Sequence, residues 1–166
     1  MILPIGIKKL KKIYHISDIQ IRNLKRHKEY EQVFENLYEF IRQDTEDAVV
    51  YIGGDIAHSK TDMSPELVDQ LSRLFKSLRN HDCNLNNRSR LDVLQPIVDN
   101  LQHDNLYYLK DTGVYEVGDV AFAVLDVWDD EAAKIPDPND IESDTKVLLY
   151  HGTVDKSQTD LGFALP

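Results

Sequence analysis

The sequence predicts an α/β fold, a sheet flanked by helices, from three observations. Residues 13–16, 29–42 and 48–52 read in order as strand, helix and strand. The second of these strands is apolar without alternation, as a strand covered on both faces is. The second half then turns strand-rich, with apolar runs at 106–109, 114–117, 120–127 and 147–150. At 166 residues the chain suits a single domain spanning residues 1–166, with enough apolar content for a real core.

Each element has its own warrant. Residues 13–16 form a short buried strand that breaks at Ser17-Asp18. Between residues 29 and 42, Tyr30, Val33, Phe34, Leu37, Tyr38 and Ile41 recur every three or four positions, which places them on one face of a helix. Residues 48–52 end at Gly53-Gly54, and the strand–helix–strand order implies a parallel pair with a right-handed crossover. Ser64-Pro65-Glu66 starts a second helix: Ser64 can cap free amides, and Pro65 sits where its missing N–H costs nothing. Leu67, Leu71, Leu74, Phe75 and Leu78 form its stripe. A third helix begins near Ser89 with Leu94, Ile97, Val98 and Leu101 inward, shortened or kinked by Pro96. Val117-Gly118-Asp119-Val120 is a hairpin turn, and the acidic stretch 129–144, with Pro136 and Pro138, is a surface loop.

Composition narrows the function classes. The net charge of −10 argues against a generally basic nucleic-acid surface, but the charge is uneven. Residues 1–30 hold Lys8, Lys9, Lys11, Lys12, Arg22, Lys25, Arg26 and Lys28 against only Asp18 and Glu29, a candidate phosphate-facing patch or a solvated lysine surface. Cys83 is the only cysteine, so no internal disulfide can form and a reducing, cytoplasmic setting is the simpler expectation. The apolar opening Met1–Ile7 is too short for a secretory signal, and no stretch approaches a membrane span.

The chemistry lies at strand ends. In an open parallel sheet, ligand-binding residues collect beyond the carboxyl ends of the strands, where Asp18 and Asp55 are expected. Two carboxylates brought together repel unless a cation lies between them, and oxygen ligands supplemented by Asn and His suit manganese, magnesium or iron. Taken singly, either Asp reads more simply as a turn former or helix cap. The ordered set His15-Ile16-Ser17-Asp18-Ile19-Gln20, Gly53-Gly54-Asp55 followed by His58, Asn80-His81-Asp82 and His151-Gly152 carries more information.

That set resembles the calcineurin-like metallophosphoesterases, and is most similar to the SbcD-type DNA repair exonucleases, in a viral or phage-related branch. The resemblance spans residues 13–163 and implies an incomplete calcineurin-like phosphoesterase sandwich, a central mixed sheet with flanking helices. It implies two divalent metals, Mn2+ first and Mg2+ or Fe2+ as alternatives. Asp18 and Gln20 would serve one metal, Asp55 would bridge both, Asn80 would bind the second and His151 would add a ligand. His81 would be the acid beside the leaving oxygen, oriented by Asp82. His58 and Arg22 would contact substrate, as would Arg88, with a helix-start surface histidine the alternative for His58 and a solvated loop the equal alternative for Arg88. DNA as substrate, an SbcC-type coiled-coil ATPase as companion chain, a homodimer as assembly and the cytoplasm of a host cell as location follow from the same resemblance.

Three departures from the family pattern carry their own expectations. Gln20 stands where the family usually has a metal-binding His, and its neutral amide is a weaker ligand. No Gly-His-x-His segment closes the metal shell. The strand that precedes the Asn-His-Asp motif in the family is missing, because only Arg79 separates Leu78 from Asn80. A crossover helix ends at the far edge of the sheet, so Asn80 would lie roughly 17 to 20 Å from Asp18 and Asp55. Weak or lost hydrolysis is therefore one expectation, and a noncatalytic DNA-repair or replication module on the same fold is the alternative. His15, His27 and His103 read as structural or solvent-exposed.

Overall fold

The computed structural model describes residues 1–44, 46–58, 63–78, 82–85, 94–101, 104–126 and 135–150. Among these residues the strands and α-helices follow in the order β1 (Lys12–Ile16), α1 (His27–Arg42), β2 (Ala48–Ile52), α2 (Pro65–Ser77), β3 (Asp82–Leu85), α3 (Leu94–Leu101), β4 (Leu106–Tyr108), β5 (Gly113–Val117), β6 (Val120–Leu125) and β7 (Thr145–Tyr150). The protein is α/β, with its strands in two sheets. One is parallel, in the order β1-β2-β3-β4; the other joins β5 antiparallel to β6 and β6 parallel to β7.

β2 explains the layering. All five of its residues are buried. Successive strand side chains point to opposite faces, so Val50 and Ile52 pack with Phe34, Tyr38 and Ile41 of α1 and with Leu67, Leu71, Leu74 and Phe75 of α2. Val49 and Tyr51 pack the other way, against Val117 of β5, Phe122 and Val124 of β6 and Leu149 of β7. Leu94 and Val98 of α3 belong to the helical side as well. The result is three layers: helices, parallel sheet, second sheet. All three crossover helices lie on one face, as they must when sequential parallel strands are joined with one hand.

The helix ends show local sequence at work. Ser64 caps α2 by accepting from the Leu67 N–H at 3.2 Å, and Pro65 occupies the first turn. α1 begins two residues before its expected start, at His27, from an Arg26 in left-handed conformation whose guanidinium pairs with Glu29. Val33, expected on the inward face of α1, is 60% exposed. The buried stripe runs through Phe34, Tyr38 and Ile41 instead, on a helix that covers the edge-strand end of the parallel sheet. Gly118 forms the β5–β6 turn with a φ of 60°, and a side chain there would meet the Lys8 backbone at 2.9 Å.

β3 is the main difference from the sequence-based expectation. No strand was expected between Leu78 and the third helix, yet residues 82–85 form one, pairing Asp82 with Val49 and Leu85 with Ile52. The polar Asp-Cys-Asn-Leu run carries no apolar signature, and only a neighbouring strand with unpaired backbone groups selects it. β3 begins at the motif's own Asp82.

A polar cluster ties β1 to the end of α1. Asp44 accepts from the Lys12 ammonium at 2.8 Å, from the Tyr14 hydroxyl and from the Glu46 N–H at 3.1 Å. These bonds, the Lys12 one foremost, hold its carboxyl well below the usual carboxylate range. On acidification through about pH 4, Asp44 in the unfolded chain takes up a proton while the folded one stays ionised, so the unfolded state binds more protons and stability falls. The contribution is complete above that pH and is lost as pH drops through the lower folded value. An Asp44→Asn variant should therefore show a flatter decline of the urea midpoint below pH 4 than the parent chain. Parallel declines in the two would refute the assignment.

Candidate metal and phosphoester site

β1 and β2 are neighbouring parallel strands in register, His15 opposite Tyr51 and Ile16 opposite Ile52. Their exit loops therefore leave the sheet side by side. Backbone bonds continue past the strands: the Gly53 N–H donates to the Ile16 carbonyl at 2.7 Å, Asp18 to Gly54 at 3.2 Å, Gln20 to Asp55 at 2.9 Å, Ile21 to Ile56 at 2.8 Å and His58 to Ile21 at 3.0 Å. Fully buried Ile21 and Ile56 anchor the two loops to the helical core. In this way the sequence-predicted Asp18, Gln20, Asp55 and His58 are brought to one edge.

Three of these four residues hold an unusual backbone. Asp18, Gln20 and Asp55 have φ values of 56°, 54° and 48°. Aspartate tolerates this left-handed region, but for glutamine it costs roughly 1 to 2 kcal/mol. Such strain persists only where surrounding bonds over-determine it. Gln20 meets that condition: besides its N–H bond to Asp55, its carbonyl accepts from the Tyr30 hydroxyl at 2.9 Å. Its side chain donates through Nε2 to Asp18 Oδ1 at 2.9 Å, and its Oε1 lies 2.8 Å from His58 Nδ1.

Asp18 and Asp55 line a cleft of about 820 Å³ between the two sheets. One wall is formed by Ile13, His15 and Ser17 of β1 and its exit, with Tyr51 and Gly53 of β2; the other is residues 147–150 of β7. The lining joins the two carboxylates to apolar side chains, among them Ile13, Val147 and Leu149. His15, exposed as its reading as a structural or solvent-exposed histidine allowed, also belongs to this wall. The period-2 relation to Ser17 would have revealed it, since residues two apart on a strand share a face. The His15 ring lies 5.0 Å from that of Tyr51 and abuts Gly53, where an added Cβ would fall 2.7 Å from Nε2. Burial pushes the Tyr51 hydroxyl up to about 12, so it stays protonated and neutral at ordinary pH.

The remaining predicted residues fall elsewhere. Asp82 opens β3 opposite Val49 at the N-terminal edge of the sheet, whereas Asp55 follows β2 at the opposite edge, up to roughly 20 Å along the strand. Strand direction thus puts the Asp82 backbone at the edge away from Asp18 and Asp55, and His81, which Asp82 was expected to orient, lies outside the described residues. Asn80, His81, Arg88 and His151 lie outside the described residues, although Tyr150, immediately before His151, lines the cleft. Arg22 is exposed on the loop after β1, and its carbonyl is bonded to His27 Nε2 at 2.8 Å.

The donor chemistry fits a hard divalent cation in part. Asp18 and Asp55 offer carboxylate oxygens from adjacent strand ends. Among the described residues, however, no three His, Cys, Asp or Glu side chains converge as a metal cage. The Gln20 amide is engaged by Asp18 and His58 rather than turned outward as a ligand.

No protein-family profile matches this chain. It is similar to the "Uncharacterized protein R555" of Acanthamoeba polyphaga mimivirus, with 39% identity over 180 residues, covering 94% of this chain and 13% of that protein. The chain thus spans a small part of its viral relative. The matched stretch of 180 exceeds the 166 residues of the whole chain, so the relative carries residues there without a counterpart here. Among the described residues, no helix is long and apolar enough to cross a membrane.

Proposed function

We propose that this chain is a divalent-metal phosphodiesterase domain of the SbcD kind, acting on DNA with weakened catalysis. The observation that carries the reading is the placement of Asp18 and Asp55 at the exits of adjacent parallel strands, above a cleft of about 820 Å³. Asp18 and Asp55 would hold the cation, Mn2+ first. When bound, it supplies an acidified water and charge stabilisation for an in-line displacement at phosphorus. His58, bonded to Gln20, would accept a proton or a hydrogen bond, and the His15 imidazole lines the cleft. The exposed Arg22, Lys25 and Lys28 on the adjoining segment supply positive charge for a phosphate backbone. A companion ATPase of the SbcC type and a homodimer belong to the same proposal.

Weakened catalysis follows from Gln20, a neutral amide already engaged in hydrogen bonds, and from Asp82 at the far edge. The same two observations favour a second reading, a DNA-binding module without hydrolysis. Calorimetric titration with Mn2+, paired with cleavage assays on linear DNA and on a simple phosphodiester, separates the two. Cation binding with slow, Mn2+-dependent turnover is the expected result. DNA binding with no turnover at any Mn2+ concentration would move the assignment to the binding module, and absence of both cation and DNA binding would sink both.

A further inference from the structure

The Gln20 side chain joins two chemically different groups, and their chemistry dictates which way its amide points. The Gln20 NH2 donates to an oxygen of the Asp18 carboxylate across a 2.9 Å contact, a group whose oxygens accept. That leaves Oε1 facing His58 Nδ1 at 2.8 Å. An amide oxygen has no proton to give, so Nδ1 must carry the hydrogen. Which ring nitrogen of a neutral histidine is protonated is decided by the bond the other one makes.

We infer that Gln20 is a positioning residue that locks His58 in the Nδ1-protonated tautomer, leaving the Nε2 lone pair available to a proton or a cation. Three further hydrogen bonds support the lock. Gln20 is clamped by the Asp55 carbonyl and the Tyr30 hydroxyl, and the His58 N–H is held by the Ile21 carbonyl. The left-handed φ values of Asp18 and Gln20 bring their side chains together within two residues of sequence. An uncharged amide thus links the Asp18 carboxylate to the His58 ring. The inference goes beyond the hydrolase reading and does not depend on it, since it requires neither cation nor substrate.

Nitrogen NMR of metal-free protein labelled at histidine tests it, at about pH 8.5, well above the ordinary imidazole pKa of about 6.5. His58 should show a protonated Nδ1 and a pyridine-like Nε2. Gln20→Leu removes the acceptor at similar volume and should abolish that preference, moving the proton toward Nε2. Gln20→Glu retains an acceptor for Nδ1 and should retain the tautomer. A protonated Nε2 in the parent chain overturns the inference, as does an unchanged tautomer in Gln20→Leu. The parent spectrum decides on its own should the leucine variant not fold.

Discussion

Asp55→Asn is expected to weaken Mn2+ binding at least a hundredfold, about 2.7 kcal/mol, with little change in thermal midpoint. The argument rests on backbone as well as charge. Asp55 has a φ of 48°, a region that asparagine enters readily and alanine does not. Asparagine therefore removes the negative charge while keeping the loop, whereas alanine would add backbone strain to the measurement. The Gln20 N–H bonds to the Asp55 carbonyl, so the zipped exits of β1 and β2 survive the substitution. Titration calorimetry of parent and variant, alongside their melting curves, checks the prediction. Equal affinity in the two would remove Asp55 from the cation site and, with it, the main support for a phosphodiesterase.

Leu71→Ala is expected to destabilise the fold by about 2 to 5 kcal/mol. Leu71 is fully buried on α2 and packs in the cluster that joins all three helices to Val50 and Ile52 of β2. The loss combines transfer of the removed atoms with a cavity that flanking Leu67, Leu74 and Phe75 cannot fill without leaving their own contacts. Domains of this size have total stabilities of about 5 to 15 kcal/mol, so the urea midpoint should drop by a large fraction. Val33→Ala, at a position 60% exposed on α1, is the matched control and should change it little. A Leu71→Ala midpoint as close to the parent as that of the control would show that α2 does not bear on the core as packed.

Much of the fold was legible because hydrophobic pattern and turn chemistry agreed. The continuous run 48–52 is β2, and Ser64-Pro65 begins α2 with the expected cap. The hairpin at Gly118 and the strands on either side of it follow the sequence closely. Val33 misled because helical periodicity gives the direction of a face but not its width, and an edge strand covers less of α1 than a central one would. β3 was illegible because a four-residue polar strand is selected by its partner's free hydrogen-bonding groups rather than by its own side chains.

The site divides in the same way. Asp18 and Asp55 could be placed from sequence because each directly follows an apolar strand, and parallel strands deliver their exits to one edge. His15 could have been found from strand period alone. The four-way clamp on Gln20 could not, since it depends on the Tyr30 hydroxyl from α1 and on His58 from the next crossover.

By itself, the sequence determined the α/β class, the order of the long elements and the pairing of two carboxylates at strand exits, because burial pattern and chain direction are local properties. Only the tertiary structure decided that the strands divide into two sheets with a cleft between them, that residues 82–85 form a strand beside β2, and that Gln20 ties Asp18 to His58. Those outcomes depend on which strand lies beside which and in what register, and register is a property of the partners together.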